Sequence, residues 1–516
     1  MASTPGDDQS EAIAFLSRPD SYGVDAVERI ETHASLVFLA GPCAYKLKRA
    51  VRFSYLDYST LERREAACRA ELALNRRTAP ELYLEVRPIG RGAAGGLVFG
   101  GTPAIDWVLV MRRFDQAELF DRMAERGALS ATLMRDLGDR IAAFHDSADV
   151  TRDFGGAAGM DWMIDGNSRN LRLFGADWFP PADVDRLDRD SRSALAALAT
   201  LLDRRRADGR VRHCHGDLHL GNICLHDGRP TLFDGIEFSD VIANVDVLYD
   251  LSFLLMDLEH RGLRPLANVL FNRYLDRRDE SDGLAALPLF LSIHAAIRAH
   301  VDAAAARRRD DAAVPLHAEA GAYLDLALRL LRPAPRCLVA IGGLSGTGKS
   351  TLAQALAPDL GAAPGARLLR SDVLRKTMLG RPPEQRLPPD AYAPAVDARV
   401  YGGLRDAAHR VLGAGHSAIL DAVHARPAER AAVASLAAEL GVPFAGLWLE
   451  APPSLLEARV DARRGDASDA TAEIVRRQHG YDVGPMSWRR VAADGPLDRV
   501  VESCRRALAA AGIAIA

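Results

Sequence analysis

Lysine is scarce in this 516-residue chain. Of its 65 lysines and arginines only four are lysines: Lys46, Lys48, Lys349 and Lys376. Arginine therefore serves wherever charge alone is needed. A lysine that survives such a bias points to a place where a compact ammonium cannot be exchanged for a planar guanidinium, as at a tight phosphate site. Long apolar runs are missing as well, and no transmembrane helix is expected. The opening stretch MASTPGDDQSEAIAF has no basic region ahead of an apolar core, so it does not read as a secretory signal. The six cysteines are scattered without a C-x-x-C pair, which reads as reduced thiols in a cytoplasmic protein, not a disulfide frame or a zinc site. A basic excess is also lacking. With a net charge of −4, neither general nucleic-acid binding nor a polybasic membrane surface is expected.

What is present is ordinary globular composition, 48% hydrophobic and 26% charged, in a chain too long for one hydrophobic core. Residues 1–10 read as a loose tail. Residues 11–330 mix strands and helices. Ser35–Ala40 and Trp107–Met111 read as strands, Leu61–Arg77 and Ala131–Asp146 as amphipathic helices, and 240–330 as mostly helical. Two prolines in 331–336 break the helix and favour an extended connector. Over 337–516, apolar runs at 337–341, 366–369, 418–420 and 444–449 alternate with helical segments, which predicts a parallel α/β sheet.

Gly343-Leu-Ser-Gly-Thr-Gly348-Lys349-Ser350 fits G-x-x-x-x-G-K-[ST] between a predicted strand and a helix, the context this motif requires. Its glycines let backbone N–H groups face a phosphate, and the helix N-terminus adds positive potential. Gly343, Ser345, Gly346, Thr347, Gly348 and Thr351 are expected around a nucleotide. Lys349 would reach its β- and γ-phosphates and Ser350 would ligate Mg²⁺. Asp372 stands at a strand's C-terminal end, where open α/β sheets place ligands. It suits a general base or a helix N-cap, and the two roles are compatible. Asp421 ends an apolar strand and suits a water-mediated Mg²⁺ contact. Arg459 and Arg463, one helical turn apart, read either as a lid that brings charge to a phosphoryl group or as a solvated face. Together these residues resemble the small P-loop kinases around gluconate kinase, the zeta-toxin-like kinases and the polynucleotide 5′-kinase fold. The resemblance adds Arg375 to Asp372 in the acceptor region. It does not choose among sugars, peptidoglycan precursors and nucleic-acid ends, so a nucleic-acid 5′-hydroxyl stays open as the alternative acceptor, with the N-terminal part then regulatory.

In the N-terminal part, His215-Gly-Asp217-Leu-His-Leu-Gly-Asn222 precedes Thr231-Leu-Phe-Asp234-Gly-Ile-Glu237. Asp217 and Asn222 have the D-x-x-x-x-N spacing of a kinase catalytic loop, and Asp234 follows an apolar strand. In such a set one carboxylate orients a hydroxyl, while the amide and the second carboxylate hold Mg²⁺. His215 reads as structural; His219 stays undecided. A lysine on an early strand is also needed, with a small residue two positions before it. Ala44 and Lys46 supply that pair on one strand face, whereas Lys48 would have Lys46 in the small position. The helix at 61–77 offers Glu65 or Glu71 as acidic partner, with Glu71 favoured by its distance to the next strand. Met111 ends the strand that leads into a nucleotide-contacting hinge. A phosphate-covering loop would lie near 40–42. HGDLHLGN with FDGIE, and Asn244-Val-Asp246 with Asp250, resembles the aminoglycoside phosphotransferase and choline-kinase-like branch of the protein-kinase-like fold. With the stretch AYKLKRAVRFSYLDYSTLERR, the whole chain resembles bacterial fusions of such a domain with a P-loop domain. The resemblance implies a bilobal kinase-like fold joined to a P-loop parallel sheet. It implies ATP or GTP with Mg²⁺ as cofactors but not the substrate; two complete phosphoryl-transfer constellations on one chain lead to the expectation of a small-molecule hydroxyl as acceptor at each of two sites.

Overall fold

The computed structural model describes residues 8–32, 34–53, 56–307, 313–462 and 467–515. The chain forms two compact units, Met1–Trp162 with Ala199–Asp257, and Met163–Leu198 with Leu258–Ala516. This division does not follow the expected break at 331–336. Helices that precede the prolines gather with the parallel sheet that follows them.

The first unit is built on an antiparallel sheet of β1 (Val27–Glu31), β2 (Ser35–Ala40), β3 (Cys43–Lys48), β4 (Tyr83–Arg91), β5 (Leu97–Phe99) and β6 (Ala104–Arg112), in the order β1-β2-β3-β6-β4-β5. Strand alternation decides the faces of β3. Tyr45 and Leu47 enter an apolar cluster with Phe38, Val108 and Val110. Ala44 enters a different cluster, with Cys68 of helix α1 (Leu61–Asn75) and Leu109. Lys46 and Lys48 share that second face. The Thr60 side chain caps α1 by accepting from the Arg63 N–H. After α2 (Ala131–Ser147), two small antiparallel pairs hold the catalytic-type loops. One joins β7 (Val211–His213) to β10 (Asn244–Asp246), and the other joins β8 (Ile223–His226) to β9 (Arg229–Leu232). Helix α3 (Val247–His260) follows.

The second unit includes α4 (Arg264–Arg277), α5 (Leu287–Ala306) and α6 (Ala313–Leu330). By length and hydropathy the segment Ser281–Ala306 could cross a membrane, which the search for unbroken apolar runs did not anticipate. In the fold 72% of its most apolar window is buried, as in a core helix. A parallel five-stranded sheet follows: β11 (Leu338–Gly343), β12 (Arg367–Arg370), β13 (Ala418–Asp421), β14 (Phe444–Glu450) and β15 (Arg489–Ala492), in the order β12-β13-β11-β14-β15. Its three central strands, β13, β11 and β14, read as near-continuous apolar runs, as in a sheet covered on both faces. Val339, Ile341, Ile419 and Leu447 centre the core. The helices used below are α7 (Lys349–Leu356), α8 (Ser371–Met378), α9 (Pro394–Gly413), α10 (Pro453–Ala462) and α11 (Ala472–His479).

Candidate functional sites

The first site gathers on the lysine face of β3. Lys46 Nζ donates to Glu71 Oε1 at 2.8 Å and to Asp234 Oδ1 at 2.6 Å. Burial works against its charge, but Asp234 and Glu71 together outweigh burial and hold the ammonium's pKa above the ordinary lysine value. Asp234 responds in the opposite sense. Desolvation would raise it, yet the Lys46 charge and hydrogen bond keep it below the usual carboxylate range. The residue is held at φ +62°, and its N–H donates to the Tyr83 hydroxyl at 3.0 Å. Asn222 Nδ2 donates to both the carbonyl and Oδ2 of Asp217, each at 2.9 Å. That commits the amide nitrogen and leaves its oxygen as the atom able to face a metal.

The loop carrying Asp217 hangs on helix α3. Asp250 accepts from the Gly216 N–H at 2.8 Å and lies 3.0 Å from His145 Nε2, and Asp257 accepts from the Leu220 N–H at 3.0 Å. His215 is structural in geometry: its Nε2–H donates to the Phe233 carbonyl at 2.9 Å. Burial lowers its pKa, so the neutral ring is favoured. His219 sits beside Asp217, 3.5 Å from ring nitrogen to carboxylate. Cys214 shares a buried cluster with His145 and Asp250, whose polar groups already bond one another and the Asp217 loop.

Helix phase separates the two candidate partners of Lys46. Glu65 meets Arg69 on the outer face of α1, whereas Glu71 is fully buried beneath β3. Met111 pairs with Ala44 in the β3–β6 ladder and is buried beside it. Three contributors were not foreseen. Lys48, which fitted no role, is buried and pairs with Glu71 and with Glu237, the latter at 2.5 Å. Glu237 closes the FDGIE stretch, and its place three residues after Asp234 was the available signal. Tyr58 completes the cluster by donating to Glu237 at 2.7 Å.

The second site opens at the turn from β11 to α7. Gly346 takes φ +88° and Gly348 φ +89° there, and a Cβ on Gly346 would meet the Leu456 carbonyl oxygen at 2.5 Å. The loop is held by Ser345 N–H donating to Gln478 Oε1 at 2.8 Å. Ser350 Oγ donates to Asp421 Oδ2 at 2.6 Å, a pair of hard oxygen donors suited to Mg²⁺. Arg370 reaches both, with Nη2 3.1 Å from Ser350 Oγ and Nε 3.4 Å from Asp421 Oδ2. These groups line a cavity of about 940 Å³ with Lys349, Thr351, Asp372 and Arg375. Burial raises the Asp372 carboxyl above its ordinary pKa; Arg370 opposes the rise and Asp421 adds to it. A raised carboxyl is better matched to accepting a proton near neutral pH.

Several expectations at this site need correction. Gly343 and Thr347 shape the loop without lining the cavity, and the Thr347 hydroxyl donates to the Leu344 carbonyl at 2.8 Å. Arg459 donates to the Ala493 carbonyl at 2.8 Å and does not line the cavity, because its face of α10 turns toward the segment after β15. Arg463 lies outside the described residues. Arg477 of α11 lines the cavity instead, together with Arg386 and Arg426. Arg375 does line it, but its guanidinium is held by Asp397 at 2.7 Å and by the Ala391 carbonyl. Lys376, the next residue after Arg375, is wholly buried on Asp469 and the Pro383 carbonyl.

An antiparallel sheet whose lysine pairs with a buried helix glutamate and with an Asp that follows an Asp–Asn loop in the chain is a protein-kinase-like arrangement. A parallel sheet with this phosphate loop is a P-loop arrangement. Comparison with known proteins agrees. Residues 51–288 match the phosphotransferase enzyme family, and residues 338–481 match an AAA domain family. Uncharacterized proteins of Mycobacterium tuberculosis and Mycobacterium bovis are each 30% identical over 488 residues, covering 91% of this chain and 93% of the relative. The chain belongs to the family of these proteins, as a fusion of a kinase-like phosphotransferase domain with a P-loop kinase-like domain. Among solved structures, a choline/ethanolamine kinase family protein from Mesorhizobium loti is 18% identical and covers 63% of this chain and 95% of its own, with TM-score 0.40. A gluconokinase from Sinorhizobium meliloti is 23% identical and covers 35% and 94%, with TM-score 0.24. The match of residues 51–288 to the phosphotransferase enzyme family supports phosphoryl transfer as the chemistry of this chain.

Proposed function

We propose that this chain carries two phosphoryl-transfer sites, each moving the terminal phosphoryl group of ATP or GTP, with Mg²⁺, to a hydroxyl of a small molecule. The observation that supports it best is the presence of two unrelated and separately assembled constellations: Lys46, Glu71, Asp217, Asn222 and Asp234 in one unit, and Lys349, Ser350, Asp372 and Asp421 in the other. Bound Mg²⁺ would neutralise charge on the transferring phosphoryl oxygens.

In the first site Asp217 orients the acceptor hydroxyl and takes its proton, an effect worth ~10²–10⁴-fold in rate. Lys46, held between Glu71 and Asp234, supplies a fixed positive charge to the nucleotide phosphates. Asn222 and Asp234 are the metal-holding pair. In the second site the β11–α7 loop and Lys349 hold the phosphates, Ser350 and Asp421 hold the metal, and Asp372 receives the acceptor's proton. We assign the first site to residues 11–330 and the second to 337–516.

The test is an acceptor screen of sugars, aminoglycosides, nucleosides and 5′-hydroxyl oligonucleotides with Mg-ATP, read by ADP release. Asp217→Ala and Asp372→Ala should each abolish a different activity. Silence across the panel would count heavily against the reading. Turnover wholly insensitive to Asp217→Ala would leave only the second site.

A further inference from the structure

Strand β12 is the edge of the parallel sheet, paired on one side only, with β13. An edge strand leaves outward N–H and C=O groups in need of partners. Here they are met by side-chain amides from helix α4, about ninety-five positions earlier in the chain than the strand they serve. Asn272 Oδ1 accepts from the Leu368 N–H at 2.7 Å, and Asn272 Nδ2 donates to the Ala366 carbonyl at 3.2 Å. One amide thus brackets two successive outward groups, as a neighbouring strand would. Asn268 Nδ2 adds bonds to the Pro364 and Ala366 carbonyls at 3.2 and 3.1 Å. Arg367 returns the contact, bonding the Asn272 carbonyl and pairing with Asp276 at 2.7 Å. Asn268, Asn272 and Arg367 are all buried.

Two residues beyond Leu368 the strand ends at Arg370, which touches Ser350 and Asp421, and Asp372 follows in the first turn of α8. The second site therefore takes two of its groups from the end of a strand gripped on one side by β13 and on the other by α4.

We propose that Asn272, supported by Asn268, is a positioning residue of the second site: by clamping the outer edge of β12 it fixes the strand end that carries Arg370 and Asp372. This rests on the phosphoryl-transfer reading of that site. The phosphate loop and Lys349 lie on β11 and α7, away from the clamp, so the clamp acts on the reacting end and not on nucleotide capture.

The experiment uses the full chain with Asp217→Ala, so that ADP release reports the second site alone. Asn272→Leu removes the acceptor for the Leu368 N–H, and Asn268→Ala is the milder variant should the first fail to fold. Amide hydrogen exchange is followed alongside kinetics. In the variant, amides of 366–370 should exchange roughly ten-fold faster while those of 338–343 stay protected. The kcat should fall about ten-fold with KM for ATP within about two-fold. Unchanged exchange at 366–370 would overturn the proposal. So would equal loosening of 338–343, which marks mere cohesion, and so would local loosening without loss of kcat. If the Asp217→Ala parent releases no ADP above a Lys349→Ala control, the kinase reading of this site fails. The clamp is then judged on exchange alone: local loosening upholds it and none overturns it.

Discussion

Lys48 and Glu71 form a buried ion pair on the carboxylate that also receives Lys46, so a single glutamate carries both lysines of β3. The two lysines nevertheless face different surroundings. Lys46 reaches Asp234, whereas Lys48 is closed in by Glu237 and Tyr58. Breaking a buried pair by removing one partner leaves an uncompensated charge, at a cost of about 3–5 kcal/mol. Lys48→Met should therefore lower the unfolding midpoint strongly, while Lys46→Met should chiefly remove first-site turnover. Thermal unfolding and ADP release on both variants separate the roles. A Lys48→Met protein as stable as the parent would show that the cluster is not needed for the fold.

The scarcity of lysine makes a second prediction. Lys46→Arg and Lys349→Arg keep the charge but replace a point ammonium by a wider planar group. In the first site Nζ must lie within 2.8 Å of two separate carboxylates. In the phosphate loop the Lys349 ammonium lies 3.1 Å from the Leu344 carbonyl. Each substitution should reduce turnover at its own site roughly 10²-fold or more and leave the other site intact. Two variants losing the same activity would contradict the assignment of separate sites.

How much of this was readable beforehand depends on whether the interaction is local in sequence. The phosphate loop and the Asp217–Asn222 spacing are short motifs whose geometry follows from the turn they make. Glu71 against Glu65 is a matter of helix phase, since six residues turn an α-helix by about 240° net of one full turn and so place the two on different faces. Lys48 was illegible because Glu237 lies 189 positions away. Arg477 was missed for a similar reason: which helix face meets the cavity is set by packing, and Arg459, on the same logic of spacing, turned elsewhere. The contact between α4 and β12 had no signal at all, because an asparagine that serves a strand edge looks like any polar helix residue.

Metal dependence of the second site gives a third prediction. Ser350 and Asp421 share a hydrogen bond of 2.6 Å and face Arg370, so the carboxylate is preset where Ser350 can share a cation. Asp421→Asn keeps the size but loses the charge. Losing such a metal-orienting group typically costs 10–100-fold in affinity, so the Mg²⁺ needed for half-maximal second-site turnover should rise by about that factor. A titration of turnover against Mg²⁺ at saturating ATP measures it. An unaltered Mg²⁺ requirement would remove Asp421 from the metal site.

Stability of the second unit should depend on pH through three buried histidines. Burial pushes His300 down to about 4, His416 to about 4 and His424 to about 3, from an ordinary value of 6.5. His416 uses its Nε2–H on the Gly365 carbonyl at 2.8 Å, and His424 packs its ring between Tyr401 and Trp488. A depressed histidine favours the folded state while both states are neutral, above the unfolded pKa. Its contribution is lost as pH falls through that value toward the folded one, because only the unfolded chain takes up the proton. Each group contributes a slope of about 1.4 kcal/mol per pH unit between these limits, so the three together give about 4 kcal/mol per unit near pH 5. Carboxylates titrate over the lower part of the same range, which makes the difference between parent and variant the informative quantity. Urea unfolding of parent and His416→Gln from pH 7 to pH 4.5 should show the variant's slope reduced by about one histidine's share. Equal slopes would mean that His416 is protonated in the folded protein, and its short bond to Gly365 would then have to be re-read as one made by an imidazolium.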